Sequence, residues 1–329
     1  MTTSDMSTHL NHFQGQDFQE GIDLIENLVP TADGVGLELS AGATQGNFSS
    51  NLTFVPSGFD QAVLSWNIAQ PEGSDYRAEI RFHSVEGERS PWLGVVNVKE
   101  EPTWLWEIDQ LTSQDNWDAF QVRASLSRNN EASPSPRIER LTVATMAIEE
   151  SGLPDPPRTK KIKPIDMPFF CQLEQDPEIG PRICSPTVVA MALGGLGIQA
   201  SPVDVAHQVY HPGYDLYGIW PLAIHAAFQL GVRGWVEYMD NWERPLKLLR
   251  KGVPLVISIA IPEDGSSGDN YPPTEGHLIV LRGVDKDGRF ITNDPRFPQT
   301  EGEGLLWQPA DLAKAWFGHG GVAYVFSRD

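Results

Sequence analysis

The chain contains two cysteines, and one of them, Cys184, occupies a position where a thiol can become a nucleophile. It lies in the segment PRICSPTVVAMALGGLG, in which Pro186 and Thr187 suit the first turn of a helix. The unpaired N–H groups and the dipole of a helix N-terminus lower the pKa of a thiol and favour the thiolate. The alternative is a small buried hydrophobic side chain, the commonest fate of a free cysteine. A partner base elsewhere in the chain would favour the nucleophile.

A histidine and an aspartate lie on two predicted strands that the turn DKDG joins into a hairpin. His277 begins the first strand, HLIVLRGV, and Asp294 follows the second, RFITN. If Val284 faces roughly Phe290 across the turn, His277 falls near the Asn293–Arg296 region, so a contact between His277 and Asp294 is geometrically available. Each residue has a structural alternative, a hydrogen-bonded histidine at a strand end and an aspartate that starts a turn. With Cys184 they form a nucleophile, a base and a residue that orients the base.

A glutamine ahead of the cysteine completes this set. Acyl transfer needs hydrogen-bond donors aimed at the oxyanion that develops on the substrate. The side chain of Gln172, in FFCQLEQDPEIGPRIC, and the backbone N–H of Cys184 would supply two such donors. The alternative for Gln172 is a surface loop residue, as most glutamines are.

The order of these motifs resembles that of the papain-like cysteine peptidases. Gln172, CSPT at Cys184, GH at His277 and NDP around Asp294 follow one another between Ile165 and the C-terminus. The resemblance is nearest to the double-glycine (bacteriocin-leader) processing peptidases and their stand-alone relatives. It implies Cys184 as nucleophile, His277 as general base, Asp294 as orienting residue and Gln172 as oxyanion donor. It implies hydrolysis of a peptide or related amide bond through a thioester acyl-enzyme, and no cofactor or metal is expected.

Two residues depart from the family pattern. Relatives usually carry a polar or acidic residue before the nucleophile and a glycine after it, whereas this chain has Ile183 and Ser185. We expect Ser185 to preserve the oxyanion geometry while adding a Cβ near the substrate. The chain shows no membrane-transporter portion, which argues against bacteriocin export. Stand-alone members fused to a β-sandwich resemble this layout better.

The surrounding elements predict two domains. Residues 35–149 contain regularly spaced alternating runs such as DYRAEIRFHSV and AFQVRASLSR, separated by turn clusters, which favour an antiparallel β-sandwich. Residues 1–34 are polar and weakly patterned, and we predict a partly ordered lead-in. Residues 150–164 are rich in proline and basic side chains and predict a linker. Residues 165–329 mix helical and strand patterns, as expected of an α+β papain-like fold.

The charge of the chain is uneven and strongly acidic. The formal net charge is -20, and residues 1–150 carry 23 acidic and 8 basic side chains against 21 and 16 in residues 151–329. This asymmetry supports a division near residue 150 and argues against nucleic acid or an anionic membrane as a partner. No segment approaches the length of a membrane-spanning helix, and no signal peptide is visible. Reduced cysteines without a signal favour the cytoplasm, while export stays open.

Other residue patterns have simpler explanations. His207 and His211 have the i, i+4 spacing of a metal pair on a helix, but the glutamate of HExxH is missing and Pro212 follows, so surface and capping roles are favoured. Five tryptophans of the first domain could form a sugar-binding face, but core packing is favoured; they are Trp66, Trp92, Trp104, Trp106 and Trp117. We predict that this domain is an accessory domain that binds a polymer or packs against the catalytic one.

The leading hypothesis is therefore a cysteine peptidase acting on a peptide or protein. An amidase or acyltransferase, for example on cell-wall peptides, would use the same three residues, because all these reactions proceed through an acyl-enzyme. The non-enzymatic alternative is a binding protein in which the geometry of the three residues no longer supports catalysis. An activated thiol at Cys184 distinguishes the enzymes from the binding protein.

Overall fold

The computed structural model describes residues 8–94, 104–106, 108–147, 153–263 and 271–328. These residues form two compact units, one within Met6–Glu149 and the other within Glu150–Asp329. The boundary that the sequence predicts near residue 150 falls in residues 148–152, outside the described residues. Among the helices of the described part, none is long and apolar enough to cross a membrane.

The first unit is built on an antiparallel sheet. Its described strands follow the order β2-β5-β10-β6-β11-β4-β3, with β1 beside β11, β7 and β9 beside β10, and β8 beside β7. The elements are β1 (Thr8–Phe13), α1 (Asp17–Glu20), β2 (Ile22–Glu26), β3 (Leu28–Pro30), β4 (Leu37–Leu39), β5 (Gln45–Ser50), β6 (Thr53–Ala69), β7 (Ser74–His83), β8 (Leu93–Gly94), β9 (Trp104–Trp106), β10 (Leu111–Arg128) and β11 (Arg137–Met146).

The alternation seen in the sequence creates the core of this unit. On β10, Phe120, Val122, Ala124 and Leu126 are all buried, and the residues between them turn to the other face of the sheet. The partner strand β7 pairs with β10 in one continuous antiparallel register, so its buried side chains lie beside those of β10 on the same face of the sheet. The antiparallel β architecture is therefore confirmed.

The first 34 residues differ from the predicted lead-in, because residues 8–30 contain three strands and a helix of the first unit. β1 pairs with β11 along its whole length, from Thr8 to Phe13. Its side chains are half-buried on both faces, so it lacks the alternation by which a strand is detected from sequence. The short helix α1 buries Phe18 against Phe48, with ring centres 5.2 Å apart.

The tryptophans of the first unit do not form a common exposed face. Trp66 and Trp117 are buried, and each indole N–H donates a hydrogen bond of 2.9 Å to a neighbouring hydroxyl. Trp92 is half-buried. The side chains of Trp104 and Trp106 lie outside the described residues. Two of the five therefore pack in the core, as favoured from sequence.

The second unit has a mixed α+β composition. Its described strands form an antiparallel sheet of order β12-β17-β13-β14-β15-β16. The elements are α2 (Cys184–Gly195), α3 (Pro202–Val209), α4 (Trp220–Gln229), β12 (Arg233–Tyr238), α5 (Glu243–Arg250), β13 (Leu255–Ile261), β14 (Thr274–Val284), β15 (Phe290–Asn293), α6 (Gln299–Gly302), β16 (Glu303–Trp307), α7 (Pro309–Trp316) and β17 (Val322–Ser327).

Helix α2 is the central helix of this unit. All side chains from Ser185 to Leu193 are buried, and the helix packs against β14, α3 and α4. A helix that is apolar on every side belongs in the interior, so its position and its first residue are fixed by packing. At its far end, a Cβ on Gly194 would come within 2.4 Å of Pro168, so the glycine lets the incoming chain segment pass.

The predicted hairpin fixes the second part of the site. Val284 pairs with Phe290 as the sequence indicates, and a register shift before Gly283 brings Val280 opposite Asn293. Within the predicted linker, the backbone of Ile162 exchanges hydrogen bonds of 2.9 and 3.1 Å with that of Val284. The predicted linker is thereby tied to the hairpin and is part of the second unit.

Candidate active site

A cleft of about 300 Å³ in the second unit brings the predicted residues together. Cys184, His277 and Gln172 all line it, and the buried Asp294 is hydrogen-bonded to His277 behind its wall. The start of α2 supplies the cysteine, the start of β14 the histidine, and the chain after β15 the aspartate. The lining residues are Gln172, Leu173, Pro181, Cys184, Thr274, Gly276, His277 and Arg296.

Cys184 is the first residue of α2 and is only partly buried, whereas Cys171 is buried; both thiols are free. Burial would raise the pKa of Cys184. The hydrogen bond and charge of His277, together with the backbone N–H groups of Leu278 and Ser185, outweigh burial and lower this pKa below its ordinary value. The positive end of the α2 dipole acts in the same direction. The site therefore favours the thiolate.

The imidazole of His277 lies between the cysteine and the aspartate. Its Nε2 is 2.8 Å from Oδ1 of Asp294, which leaves Nδ1 as the ring nitrogen for Cys184. Burial opposes the charged imidazolium, but the hydrogen bonds to Asp294 and Cys184 prevail and raise the pKa of His277 to about 9. The two shifts, down for the thiol and up for the imidazole, favour an ion pair of thiolate and imidazolium.

Asp294 is fully buried and accepts hydrogen bonds on both oxygens. Besides His277, Oδ1 accepts the backbone N–H of Arg296 at 2.9 Å, and Oδ2 accepts the hydroxyl of Tyr271 at 2.5 Å. The backbone N–H of Asp294 donates to the carbonyl of Gly302 at 3.0 Å. These contacts hold the carboxylate towards the imidazole.

Tyr271 is a residue that sequence reasoning missed. Its ring packs edge-to-face against Phe297 and at a tilt against Trp307, with ring centres 5.7 and 5.1 Å away. Burial and the charge of Asp294 raise the pKa of its hydroxyl, so the proton stays on the tyrosine and the group remains a donor. No local pattern marks a tyrosine as the partner of a carboxylate 23 residues later.

Gln172 is buried and fixed by its own backbone and side chain. Its N–H donates to the carbonyl of Pro295 at 2.7 Å, and Nε2 donates to the carbonyl of Gly180 at 2.9 Å. An amide nitrogen carries two hydrogens, so one remains for the cleft that Gln172 lines. Gln172 thus lines the same cleft as Cys184 with one amide hydrogen that the bond to Gly180 does not use.

The residues that flank the cysteine turn away from the cleft. Ser185 is fully buried, and its Oγ lies 3.4 Å from the hydroxyl of Tyr324. The expectation that its Cβ lies near the substrate is therefore wrong, because successive helical side chains diverge by about 100°. Ile183 is also buried. Its carbonyl accepts two hydrogen bonds from Thr187, one from the backbone N–H at 3.0 Å and one from the side-chain hydroxyl at 2.7 Å.

The remaining candidates stay outside this cleft. His207 is exposed on α3, and His211 follows the end of that helix in a turn closed by a bridge to Leu216. In the part of the chain that the structure describes, no group of three or more His, Cys, Asp or Glu side chains could hold a metal ion.

Residues 164–323 match the model of the Peptidase_C39 like family. This match confirms the resemblance that the four motifs predict, and it covers the cleft and all four predicted site residues. No curated protein sequence matches the chain.

The chain also has likenesses among solved structures. A double glycine motif protease from an AMS/PCAT transporter, in complex with the leader peptide, shares 16% identity over 51% of this chain and 98% of that chain, with a TM-score of 0.35. The peptidase domain of Streptococcus ComA, a bifunctional ABC transporter of a quorum sensing pathway, shares 17% identity over 45% of this chain and 93% of that chain, with a TM-score of 0.33. A family 11 carbohydrate-binding module from Clostridium thermocellum shares 15% identity over 45% of this chain and 93% of that chain, with a TM-score of 0.18. All three TM-scores lie below 0.5.

Proposed function

We propose that the second unit, whose residues 164–323 match a peptidase-like family, is a cysteine peptidase that hydrolyses peptide or related amide bonds. The observation that carries this proposal is the connected series Cys184, His277 and Asp294 in one cleft, with the pKa of the thiol lowered and that of the imidazole raised. Groups with opposed, perturbed pKa values in a cleft are typical of catalytic sites.

In this proposal each residue has one role. The thiolate of Cys184 attacks the carbonyl carbon, and the oxyanion is stabilised by the N–H of Cys184 and the free amide hydrogen of Gln172. The imidazolium of His277 gives its Nδ1 proton to the leaving nitrogen as the C–N bond breaks and a thioester forms. His277 then takes a proton from water, which attacks the thioester and releases the acid and the thiolate. Asp294 keeps the imidazole oriented throughout.

We further propose that the first unit is a β-sandwich that serves as an accessory to the peptidase, with the division near residue 150. The support is that the side chains of Phe120, Val122 and their neighbours on β10 are completely buried on one face of the sheet. A sheet face buried to that degree requires a second layer, which in an antiparallel β unit is another part of the sheet folded over it.

The test of the peptidase proposal is the pH dependence of Cys184. We expect iodoacetamide to label Cys184 at a rate that stays high well below pH 8, because the imidazolium favours the thiolate there. An ordinary thiol reacts this way only above about pH 8.5. His277→Ala should move the labelling profile towards that ordinary value, while Cys171→Ser and His207→Ala should leave it in place. A wild-type profile like that of a free thiol would contradict the proposal.

Peptide hydrolysis gives the second readout. We expect kcat/KM to rise with pH as the thiolate forms and to fall as pH passes through about 9, because His277 then lacks the proton for the leaving nitrogen. Cys184→Ala should lower the rate by more than about 10⁴-fold. Transfer of the acyl group to an added amine in preference to water would instead identify an acyltransferase.

A further inference from the structure

One charged side chain of the cleft has no role in the proposed reaction. Arg296 lines the cleft beside Cys184 and His277 and is half-buried. The other lining side chains, apart from the imidazole and the thiol, are uncharged. In a chain of net charge -20, this guanidinium gives the cleft a local positive charge.

The backbone of Arg296 is held firmly at this place. Its N–H donates to Oδ1 of Asp294 at 2.9 Å, and the carbonyl of the preceding Pro295 accepts the N–H of Gln172 at 2.7 Å. Arg296 therefore belongs to a short segment that is hydrogen-bonded both to Asp294, which orients the imidazole, and to Gln172, the proposed oxyanion donor. From this position the side chain of Arg296 lines the cleft together with His277.

The guanidinium has no hydrogen bond or ion pair to any residue that the structure describes. Its charge acts on Tyr271, whose pKa is raised by burial and Asp294 and lowered in part by Arg296. Other arginines of the second unit have carboxylate partners; these pairs are Arg182 with Asp215, Arg244 with Glu237, Arg282 with Glu303, and Arg289 with Asp285. Among the residues that the structure describes, no carboxylate pairs with Arg296 in this way.

The proposed reaction fixes which part of a substrate lies near Arg296. The imidazolium of His277 must donate to the leaving nitrogen, so the residue after the scissile bond passes over the imidazole. Asp294 binds the other ring nitrogen of His277, Nε2, and Arg296 follows it by two residues, so its side chain lines the same cleft as the imidazole. A planar guanidinium binds a carboxylate through two parallel hydrogen bonds and does so more strongly than it binds a neutral amide.

We infer that Arg296 binds a carboxylate on the leaving-group side of the scissile bond, so that the substrates are peptides with an acidic group on the first residue after the cleavage site. The inference rests on the proposed peptidase function. The carboxylate belongs either to an Asp or Glu side chain or to the free C-terminus of that residue. Both have the same chemistry and differ only in where the peptide ends.

Matched peptides test this inference on the full chain. One pair carries Glu or Gln after the cleavage site, and a second pair ends at that residue as a free acid or as an amide. We expect wild-type kcat/KM to favour the acidic member of at least one pair by about 10-fold or more. Arg296→Ala should bring that ratio close to one, and Arg296→Glu should favour Lys in place of Glu. Arg289→Ala, which alters an arginine outside the cleft, should retain the wild-type ratio.

Equal wild-type rates within both pairs, or a ratio that Arg296→Ala leaves unchanged, would overturn the inference. Fluorescence anisotropy with the same peptides on Cys184→Ala protein separates it from the peptidase proposal. If no peptide is cleaved, but Cys184→Ala protein binds the acidic member more tightly and Cys184→Ala/Arg296→Ala does not, the carboxylate site stands and the peptidase proposal fails. If cleavage occurs without preference for the acidic member, the peptidase stands and the carboxylate site fails. If no peptide is cleaved and Cys184→Ala protein binds both members of each pair equally, both proposals fail.

Discussion

Tyr271 donates its hydroxyl to one oxygen of Asp294 while His277 binds the other, so the carboxylate is fixed from two sides. We therefore regard Tyr271 as a positioning residue that acts through Asp294 and touches no reacting atom. Its ring is held by Phe297 and Trp307, which makes the direction of the hydroxyl independent of the substrate.

Tyr271→Phe tests this role. The substitution leaves Oδ2 of Asp294 without its hydroxyl donor, at a cost of about 1–3 kcal/mol for an unsatisfied buried group. We expect kcat to fall by about 10-fold, as the imidazole loses its orientation, while KM changes by less than about 3-fold. Steady-state kinetics measures both. Tyr210→Phe is the matched control, because Tyr210 also donates to an aspartate, Asp215 at 3.0 Å, but outside the cleft. Equal losses in the two variants would contradict a positioning role.

The sequence could identify the residues that carry local signals. Cys184 precedes a run typical of a helix start, and His277 and Asp294 belong to the two arms of a hairpin, at the end away from the turn that joins them. Tyr271 and Arg296 carry no such signal, because their roles depend on which side chains the fold brings beside them. A tyrosine in a loop and an arginine after proline are ordinary on a protein surface.

At the scale of elements, the site depends on how the chain after β15 is closed. The N–H of Asp294 donates to the carbonyl of Gly302, the last residue of α6. Gly302 is buried, and a Cβ there would lie 2.4 Å from the carbonyl oxygen of Asp294 and 2.8 Å from the ring of Phe169. The nearer neighbour is a backbone atom, so a Cβ at this position would force the backbone of Asp294 or of helix α6 to shift.

Gly302→Ala should therefore disturb both stability and activity. We expect the free energy of unfolding to fall by about 1–3 kcal/mol, as for overpacking in a core. We also expect kcat to fall, since the backbone of Asp294 must shift. Thermal unfolding and steady-state kinetics measure the two effects. Gly318→Ala is the control, because a Cβ at Gly318 makes only an ordinary contact of 3.7 Å. A Gly302→Ala protein with wild-type stability would show that this packing has been misjudged.

Elements with strong periodicity or capping were predictable, and short edge elements were not. Helix α3 begins at Pro202 after Ser201, whose side chain accepts the N–H of Asp204, as its sequence indicates. The edge strand β16 was missed, because only its last residue, Trp307, is buried and the four residues before it show no alternation. Helix α6 has only four residues, too few for a periodic signal.

At the scale of the whole molecule, composition and pattern together indicate two units. The acidic charge is concentrated in the first 150 residues, and strand patterns give way to mixed patterns after that point. The exception is the beginning of the chain, where β1, β2 and β3 belong to the first sheet although their sequences lack alternation. Such edge strands are specified by the backbone hydrogen bonds that a finished sheet offers, which sequence patterns do not reveal.

Two separate cores predict two separate unfolding transitions in calorimetry of the full chain. Phe120, fully buried in the first unit against Phe13 and Phe59, reports on one core, and Gly302 reports on the other. Phe120→Leu leaves a cavity and should lower one transition by several degrees, while Gly302→Ala should lower only the other.

Labelling of Cys184 should persist in the Phe120→Leu protein at temperatures between its two transitions, provided that the transition shifted by Gly302→Ala is the upper one. If that transition is the lower one, labelling should lose its dependence on His277 as soon as it is passed. A single transition that both substitutions shift would mean that the two cores unfold as one cooperative unit, and the division near residue 150 would then have no thermodynamic meaning.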